Sequence, residues 1–211
     1  MRLPSLETNK LGAKSRLLQT HCVEAMPRLI SDQYWPIADA EVNKDTLAKL
    51  LPVATELETR NGFKLYREGT AYDGSYFLVK PDGSSIVYYM EYLVHAAHFS
   101  GLHSVTQTSI WRKIGAGVPR GLASNVLFKY LVPRYPAVMS DKIQTTRGRD
   151  FWVEIMQEAL AKNLTVELVD IIKNEVFPVK TEHDLDMWQQ DKTPAWGWGE
   201  RYEQLRFVIR K

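Results

Sequence analysis

The stretch Ile110–Leu131, IWRKIGAGVPRGLASNVLFKYL, constrains the fold more than any other part of the chain. An apolar, strand-like run (VTQTSIW) enters a loop built on Gly115, Gly117, Pro119 and Gly121, and the loop feeds an amphipathic helix. Strand, glycine-rich loop and helix in succession aim bare backbone N–H groups at a bound anion, phosphate above all. Arg112, Lys113 and Arg120 sit in or beside the loop. Between Arg112 and Asp150 eight Lys or Arg stand against two Asp, a local charge of +6, and the remainder carries −4. A basic surface of this kind favours a phosphorylated ligand or nucleic acid. Nucleic acid is the weaker option, because no stretch interleaves Lys or Arg with aromatics as a stacking groove does.

A chain of 211 residues, 45% hydrophobic and 25% charged, is long enough for one domain with a real core. The single cysteine, Cys22, excludes an intramolecular disulfide and a multi-cysteine zinc site, and it fits a reducing, cytoplasmic compartment. His95, His98 and His103 lack the compact spacing that metal ligation needs, so no metal is expected. No apolar run approaches a membrane span, and MRLPSLETNK lacks a signal-peptide core; the expectation is a protein without membrane contact.

The N-terminal residues 1–44 read as a helical extension, with a helix over Leu11–Leu29 that Pro27 interrupts. Asp45 is a plausible cap for a helix over TLAKLLPVATELETRNG, kinked at Pro52 and stopped by Asn61–Gly62. From Phe63 the period changes. FKLYRE, SYFLVK, SIVYYMEYLVHA and SVTQTSIWRK are β-branched and aromatic runs divided by turn signals, an antiparallel meander of three or four strands with SIVYYMEYLVHA central. KPDGSS is a hairpin turn in which Asp82–Gly83 takes positive φ. After the loop and its helix come a short strand in PRYPAVMSD and a helix over QTTRGRDFWVEIMQEALAKN. A strand over LTVELVDIIKNEVF, a tryptophan-rich excursion and a last strand, LRFVIRK, complete the order. It gives a mixed α/β (α+β) domain over residues 45–211, its sheet mostly antiparallel and flanked by helices.

That order, with the loop motif, resembles the GNAT superfamily of N-acetyltransferases. The family's loop reads Gln/Arg-x-x-Gly-x-Gly/Ala. Arg112-Lys-Ile-Gly115-Ala-Gly117 matches it literally, and Val118-Pro-Arg-Gly121-Leu-Ala123 matches except at its first position. The second register lies against the helix, whose own first-turn N–H groups are the ones that capture phosphate. The resemblance implies acetyl-CoA as acyl donor. Its pyrophosphate would lie on the N–H groups of Arg120, Gly121, Leu122, Ala123 and Ser124, with Arg112 and Lys113 adding charge and Gly115 and Gly117 shaping the bend. It also implies an amine substrate, on a protein or a small molecule. Strand N–H groups near Trp111–Lys113 would polarise the thioester carbonyl.

Glu91, the one acidic residue inside SIVYYMEYLVHA, is the expected base, with His95, His98 and His103 downstream. The family often protonates the departing thiolate with a tyrosine, and the equivalents here are Phe151 and Trp152, which cannot serve. Ser140, Asp141, Thr145 and Tyr130 are candidate replacements. Trp188, Trp196 and Trp198 fall in a segment, Thr181–Gln204, holding six acidic and two basic residues, a composition suited to a protein-partner surface or a lid. The alternative is therefore a catalytically inactive GNAT-like protein that docks on and inhibits a larger partner, a build that suits a bacteriophage host-interaction factor. A DNA-directed modification enzyme of the same fold is a third option.

Overall fold

The computed structural model describes residues 35–140, 146–189 and 205–211. The expected helix over Leu11–Leu29 and Cys22 lie outside the described residues, as do Asp141, Thr145, Trp196, Trp198 and the side chain of Trp188. Among the described residues the fold is a nine-stranded mixed sheet with helices. Strands β1 (Thr55–Arg60), β2 (Phe63–Gly69), β3 (Asp73–Val79), β4 (Ile86–Ala96) and β5 (Ser104–Arg112) form the meander. Strands β6 (Ala137–Met139), β7 (Thr165–Asp170), β8 (Glu175–Val179) and β9 (Leu205–Arg210) complete the sheet in the order β1-β2-β3-β4-β5-β6-β9-β7-β8. All ladders are antiparallel except β5–β6, which is parallel and pairs Thr106 with Val138 and Gln107 with Met139.

Helix α1 (Ala40–Leu50) begins inside the segment assigned to the extension. Its cap is Asp39 rather than Asp45: Asp39 is extended, and its carboxylate accepts from the N–H groups of Glu41 (2.9 Å) and Val42 (3.1 Å). The helix expected through TELETR ends at Leu50. Pro52 lacks the N–H to continue it, a single 3₁₀ turn (Leu51–Val53) follows, and TELETR becomes β1, paired with β2. The meander therefore has five strands. LTVELVDIIKNEVF is likewise two strands: Asp170 accepts from Ile172 and Lys173 N–H, Asn174 takes φ 57°, and the chain doubles back as β7 and β8. The two edges are guarded, β1 by its charges and β8 by Pro178, against pairing with another chain.

The crossover from β5 to β6 runs through the glycine loop into α2 (Leu122–Val126), a π-helical turn (Leu127–Leu131) and α3 (Val132–Arg134). Helix α4 (Thr146–Ala161) carries the chain from β6 to β7, and α5 (Glu182–Gln189) follows β8. Both crossovers pack on one face of the sheet. There Val126, Leu127, Leu131, Trp152, Ile155 and Met156 meet Tyr76, Leu78, Tyr88, Met90, Val138 and Phe207 in the main core. The opposite face is covered at one end by Ile37 and Leu47 of the α1 region, over Phe77, Val79 and Ile86. At its other end Ala97, Phe99 and Val105 pack with Met139, Val169 and Val208.

One buried amide seats α1. The Asn43 side chain donates to the carbonyls of Ile37 (3.0 Å) and Ile86 (2.9 Å) and accepts from Ile86 N–H (2.9 Å). It thereby serves the backbone of Ile86, beside the irregularity in the β3–β4 ladder at Leu78/Val79. Asn43→Ala leaves a buried donor and acceptor at Ile86 without partners, and the expected loss is about 2–4 kcal/mol in chemical denaturation. A loss under about 0.5 kcal/mol would show that water replaces the amide.

Candidate functional site

The glycine loop occupies the place the sequence assigns to it. β5 ends at Arg112, and Lys113 N–H still donates to Val87 O (2.9 Å). The literal motif Arg112–Gly117 thus covers the strand end and the bend. Gly115 (φ 74°), Gly117 (φ 69°) and Gly121 (φ 70°) all take the left-handed conformation. A Cβ added at Gly115 or Gly121 would meet no atom within 4 Å, so these glycines are set by backbone geometry and face open space. The Arg112 guanidinium donates to Val118 O (3.2 Å) and ties the strand end to the far limb of the loop. Val118 and Pro119 are buried, whereas Arg112, Lys113 and Arg120 are exposed.

Gly121 is the residue before α2, and the first helical bond runs from Asn125 N–H to Gly121 O (2.9 Å). The N–H groups of Leu122, Ala123 and Ser124 therefore precede the ladder of the helix, and no side chain caps them at Gly121. Arg120, exposed, directly precedes Gly121 and these first-turn N–H groups, a combination that attracts anions.

The helix behind the loop is held by Glu58 of β1, which the sequence reading overlooked. Its carboxylate accepts from Asn125 Nδ2 (2.8 Å), from Tyr130 OH (3.1 Å) and from Lys129 Nζ. Burial pushes the Glu58 carboxyl up, but the bonds from Lys129 and Tyr130 and the Lys129 charge outweigh it and hold the group below the ordinary value. Ser124 Oγ donates to Glu158 of α4, which links the first turn of α2 to the second crossover helix.

The expected catalytic residues fall in different places. Tyr130 lies on the crossover face, bonded to Glu58 and stacked on Tyr76 with ring centroids 5.8 Å apart. Ser140 is buried just past β6; its N–H donates to Phe207 O (2.9 Å) and its Oγ accepts from Phe207 N–H (3.1 Å), prolonging the β6–β9 contact. Glu91 lies on the opposite face, in register with Ser75 and Ser109. Tyr130, Ser140 and Glu91 are thus not brought together. Trp152 is a core residue and Phe151 packs beside it, centroids 5.8 Å apart. Burial lowers the pKa of His95 from its ordinary value, and His98 and His103 are exposed. Among the described residues no group of His, Cys, Asp and Glu is arranged to hold a metal ion, and no helix is long and apolar enough to cross a membrane.

The class these observations define is a mixed α/β protein with a nine-stranded, mostly antiparallel sheet and a basic glycine loop at its one parallel joint. No protein-family model matches the chain, and no curated protein or solved structure does.

Because the Glu58 carboxyl titrates below its ordinary value near 4.5, its contribution to stability is complete above that value and is lost as pH falls through the lower, folded one. Acid unfolding followed by circular dichroism is expected to be shallower in Glu58→Gln below pH ~4.5, and at pH 7 the variant is less stable by about 1–2 kcal/mol. Superimposable acid transitions would show that Glu58 does not hold the helix.

Proposed function

We propose that this chain is an acyl-CoA-dependent N-acyltransferase of GNAT-like architecture. The observation that carries the reading is the glycine loop at the parallel joint: Gly121 at φ 70° opens α2 towards solvent beside the exposed Arg112, Lys113 and Arg120. The strand order supports it. A meander leads into a loop and helix, then a parallel strand, a second crossover helix, and a last strand inserted between β6 and β7. The β5–β6 ladder covers only residues 106–107 of β5, and β5 continues to Arg112. On this reading the substrate arm would enter beyond Gln107, where the two parallel strands cease to pair.

On this reading the N–H groups of Leu122, Ala123 and Ser124 hold the donor's pyrophosphate, and Arg112, Lys113 and Arg120 neutralise it. The acyl donor supplies the thioester. Lys113 N–H already serves Val87, so by strand alternation the N–H groups of Ile110 and Arg112 are the ones that turn towards the β6 side. They replace Lys113 as the donors able to polarise the carbonyl. Glu91 stands in register with Ser109, two residues beyond Gln107, the last residue paired with β6. From there it accepts the proton of the attacking amine, directly or through one water. The C–N bond would form as the C–S bond breaks, and the proton that Glu91 takes from the amine would return, through water, to the departing thiolate to give the free thiol.

A second reading is a binding protein on the same scaffold. It is favoured by the hydroxyls of Tyr130 and Ser140, both engaged in structural bonds, with Trp152 in the core where a proton donor was sought. Such a protein would dock on its partner without turning over a substrate.

Acetyl-CoA at about 100 times its Kd is expected to raise the Tm by roughly 5–10 °C. Gly121→Asp is expected to abolish that shift, since it adds a carboxylate at the anion site and a side chain at positive φ. No shift at saturating acetyl-CoA removes both the donor assignment and the enzyme reading. A shift without acetyl transfer to any amine favours the binding protein.

A further inference from the structure

The crossover face of the sheet carries a second cluster of basic and phenolic groups, away from the glycine loop. Arg67 of β2 stands in direct register with Tyr76 of β3, and its Nη2 donates to Tyr92 OH (2.8 Å) and to Thr70 O (2.8 Å) in the β2–β3 turn. The Tyr92 hydroxyl in turn donates to Thr70 O (2.8 Å). Gly74, the register partner of Tyr92, leaves room for it: a Cβ there would stand 2.7 Å from that hydroxyl. Tyr135, just past α3, packs its ring 5.7 Å from that of Tyr92, and the guanidinium of Arg134 lies over the Tyr135 ring at 5.7 Å. Arg112, where the glycine loop begins, is the register partner of Tyr88, four residues before Tyr92 on β4, so about 13 Å separates the two clusters along the strand.

Positive charge and unused donors accumulate here. Among the described residues neither Arg67 nor Arg134 forms an ion pair. The cross-strand acidic row Glu68–Ser75–Glu91–Ser109 lies on the opposite face. Asp73 accepts from Thr70 Oγ1 (2.5 Å), and Glu58 is taken up by Asn125, Lys129 and Tyr130. Burial raises the pKa of the Tyr76 phenol, and Arg67 and, less strongly, Arg134 oppose the rise, so both charges reach that hydroxyl. Three buried polar atoms around Tyr92 have no hydrogen-bond partner: Arg67 Nε, Tyr135 OH and Oγ1 of Thr108, the register partner of Tyr92. Arg67 is half-buried, Tyr135 is 7% exposed, and Arg134 is open to solvent. An orphaned phenol and an orphaned guanidinium N–H, with no carboxylate to satisfy either, call for an acceptor from outside the chain.

We propose that Arg67, Arg134 and the Tyr135 hydroxyl bind an oxyanion, the phosphate of a small phosphomonoester. The two guanidiniums match a phosphate dianion in charge, their N–H forks match its oxygens, and the phenol adds a further donor. Arg134, at the surface, meets the ligand first, and Arg67 and Tyr135 hold it on the inner side. The site does not rest on the acyltransferase reading, whose pyrophosphate would lie at the other end of the crossover.

The test is isothermal titration of the full chain with glycerol 1-phosphate, against glycerol at matched ionic strength. Saturable binding of the phosphate ester alone is expected. Arg67→Gln is expected to weaken it about tenfold, the worth of a hydrogen bond to a charged group. That variant also loses the bonds to Thr70 and Tyr92, so two others separate binding from folding. Arg134→Gln breaks no hydrogen bond; its melting is expected to match the parent's while binding weakens about threefold, as suits an exposed charge. Tyr135→Phe deletes a hydroxyl without a partner in the fold, so its Tm is expected to equal or exceed the parent's while binding weakens about fivefold. Gly121→Asp, which blocks the glycine loop, is expected to bind the ester within about twofold of the parent. A phosphate ester that binds no better than glycerol overturns the proposal, as does full-strength binding in both Arg134→Gln and Tyr135→Phe. Loss of binding in Gly121→Asp also overturns it, since the phosphate would then lie on the loop. If the ester fails while the acetyl-CoA shift persists, the phosphate site falls alone. If the ester binds and acetyl-CoA gives no shift, the acyltransferase reading falls alone.

Discussion

The parallel joint between β5 and β6 is the constraint on which the rest of the molecule depends. Two residue pairs join a five-strand meander to a four-strand unit in one continuous sheet. A parallel step cannot be closed by a hairpin; it needs a crossover, and the crossover must pack on one face. The glycine loop and the helix behind it follow from that need. The loop sits at the end of β5 because the chain must leave the sheet there, turn through a sharp angle and begin a helix over the core. Left-handed glycines at 115, 117 and 121 make that turn without a steric penalty, and an opening helix whose first-turn N–H groups lie outside its own ladder is its by-product.

A joint of two residue pairs needs help, and polar side chains supply it at three other seams. Asn43 docks α1 on the backbone of Ile86. Glu58 gathers Asn125, Lys129 and Tyr130, and so fastens the crossover helix to the edge strand β1. Glu167, nearly buried, accepts from Arg210 (2.6 Å) and from Ser100 Oγ (2.9 Å), which ties the β4–β5 loop to β7 and β9. In each case a buried or half-buried polar group meets partners from a distant part of the chain, so removing one partner strands the others, and the penalty exceeds the worth of a single bond. The apolar core supplies most of the stability, and these seams fix which strand lies beside which.

The physical reach of each signal decides what the sequence revealed. The hairpin at Asp82–Gly83 was legible because it is local: Gly83 takes φ 71° and Ser84 N–H donates to Asp82 Oδ1 (2.9 Å) within one turn. The strands from Phe63 onward, the loop, α4 and the last strand were legible for the same reason, since alternation and helical period are read over a few residues. β1 was not, because TELETR has helical propensity and becomes a strand only through pairing with β2. The cap expected at Asp45 falls at Asp39 instead, because aspartate caps well at either position and only the packing of α1 on β4 decides where the helix starts. The β7–β8 turn was hidden because Ile171 and Ile172, exposed at the tip, look like strand. Glu58 was invisible, since its partners lie about 70 residues away and no local pattern announces them.

The sheet also sorts charge by face, through alternation alone. On β4, Tyr88, Met90 and Tyr92 enter the core beneath the crossover helices, whereas Tyr89 and Glu91 turn to the side of α1. The basic loop closes the crossover side at the end of β5, and the acidic row crosses β2 to β5 on the other. Shifting one strand by a single residue would exchange these faces, burying Glu91 in the core and exposing Met90, which the core cannot tolerate. The register that protects the core is therefore the same register that keeps the basic loop and the row Glu68–Ser75–Glu91–Ser109 on different parts of the sheet. The two meet at the stretch Thr108–Arg112, where β5 runs past its parallel partner with the loop at one end and Ser109 of the acidic row within it. Over that stretch a single strand carries residues of both faces past the point where its parallel partner stops pairing, so the β5–β6 joint sets the fold and the placement of the loop together.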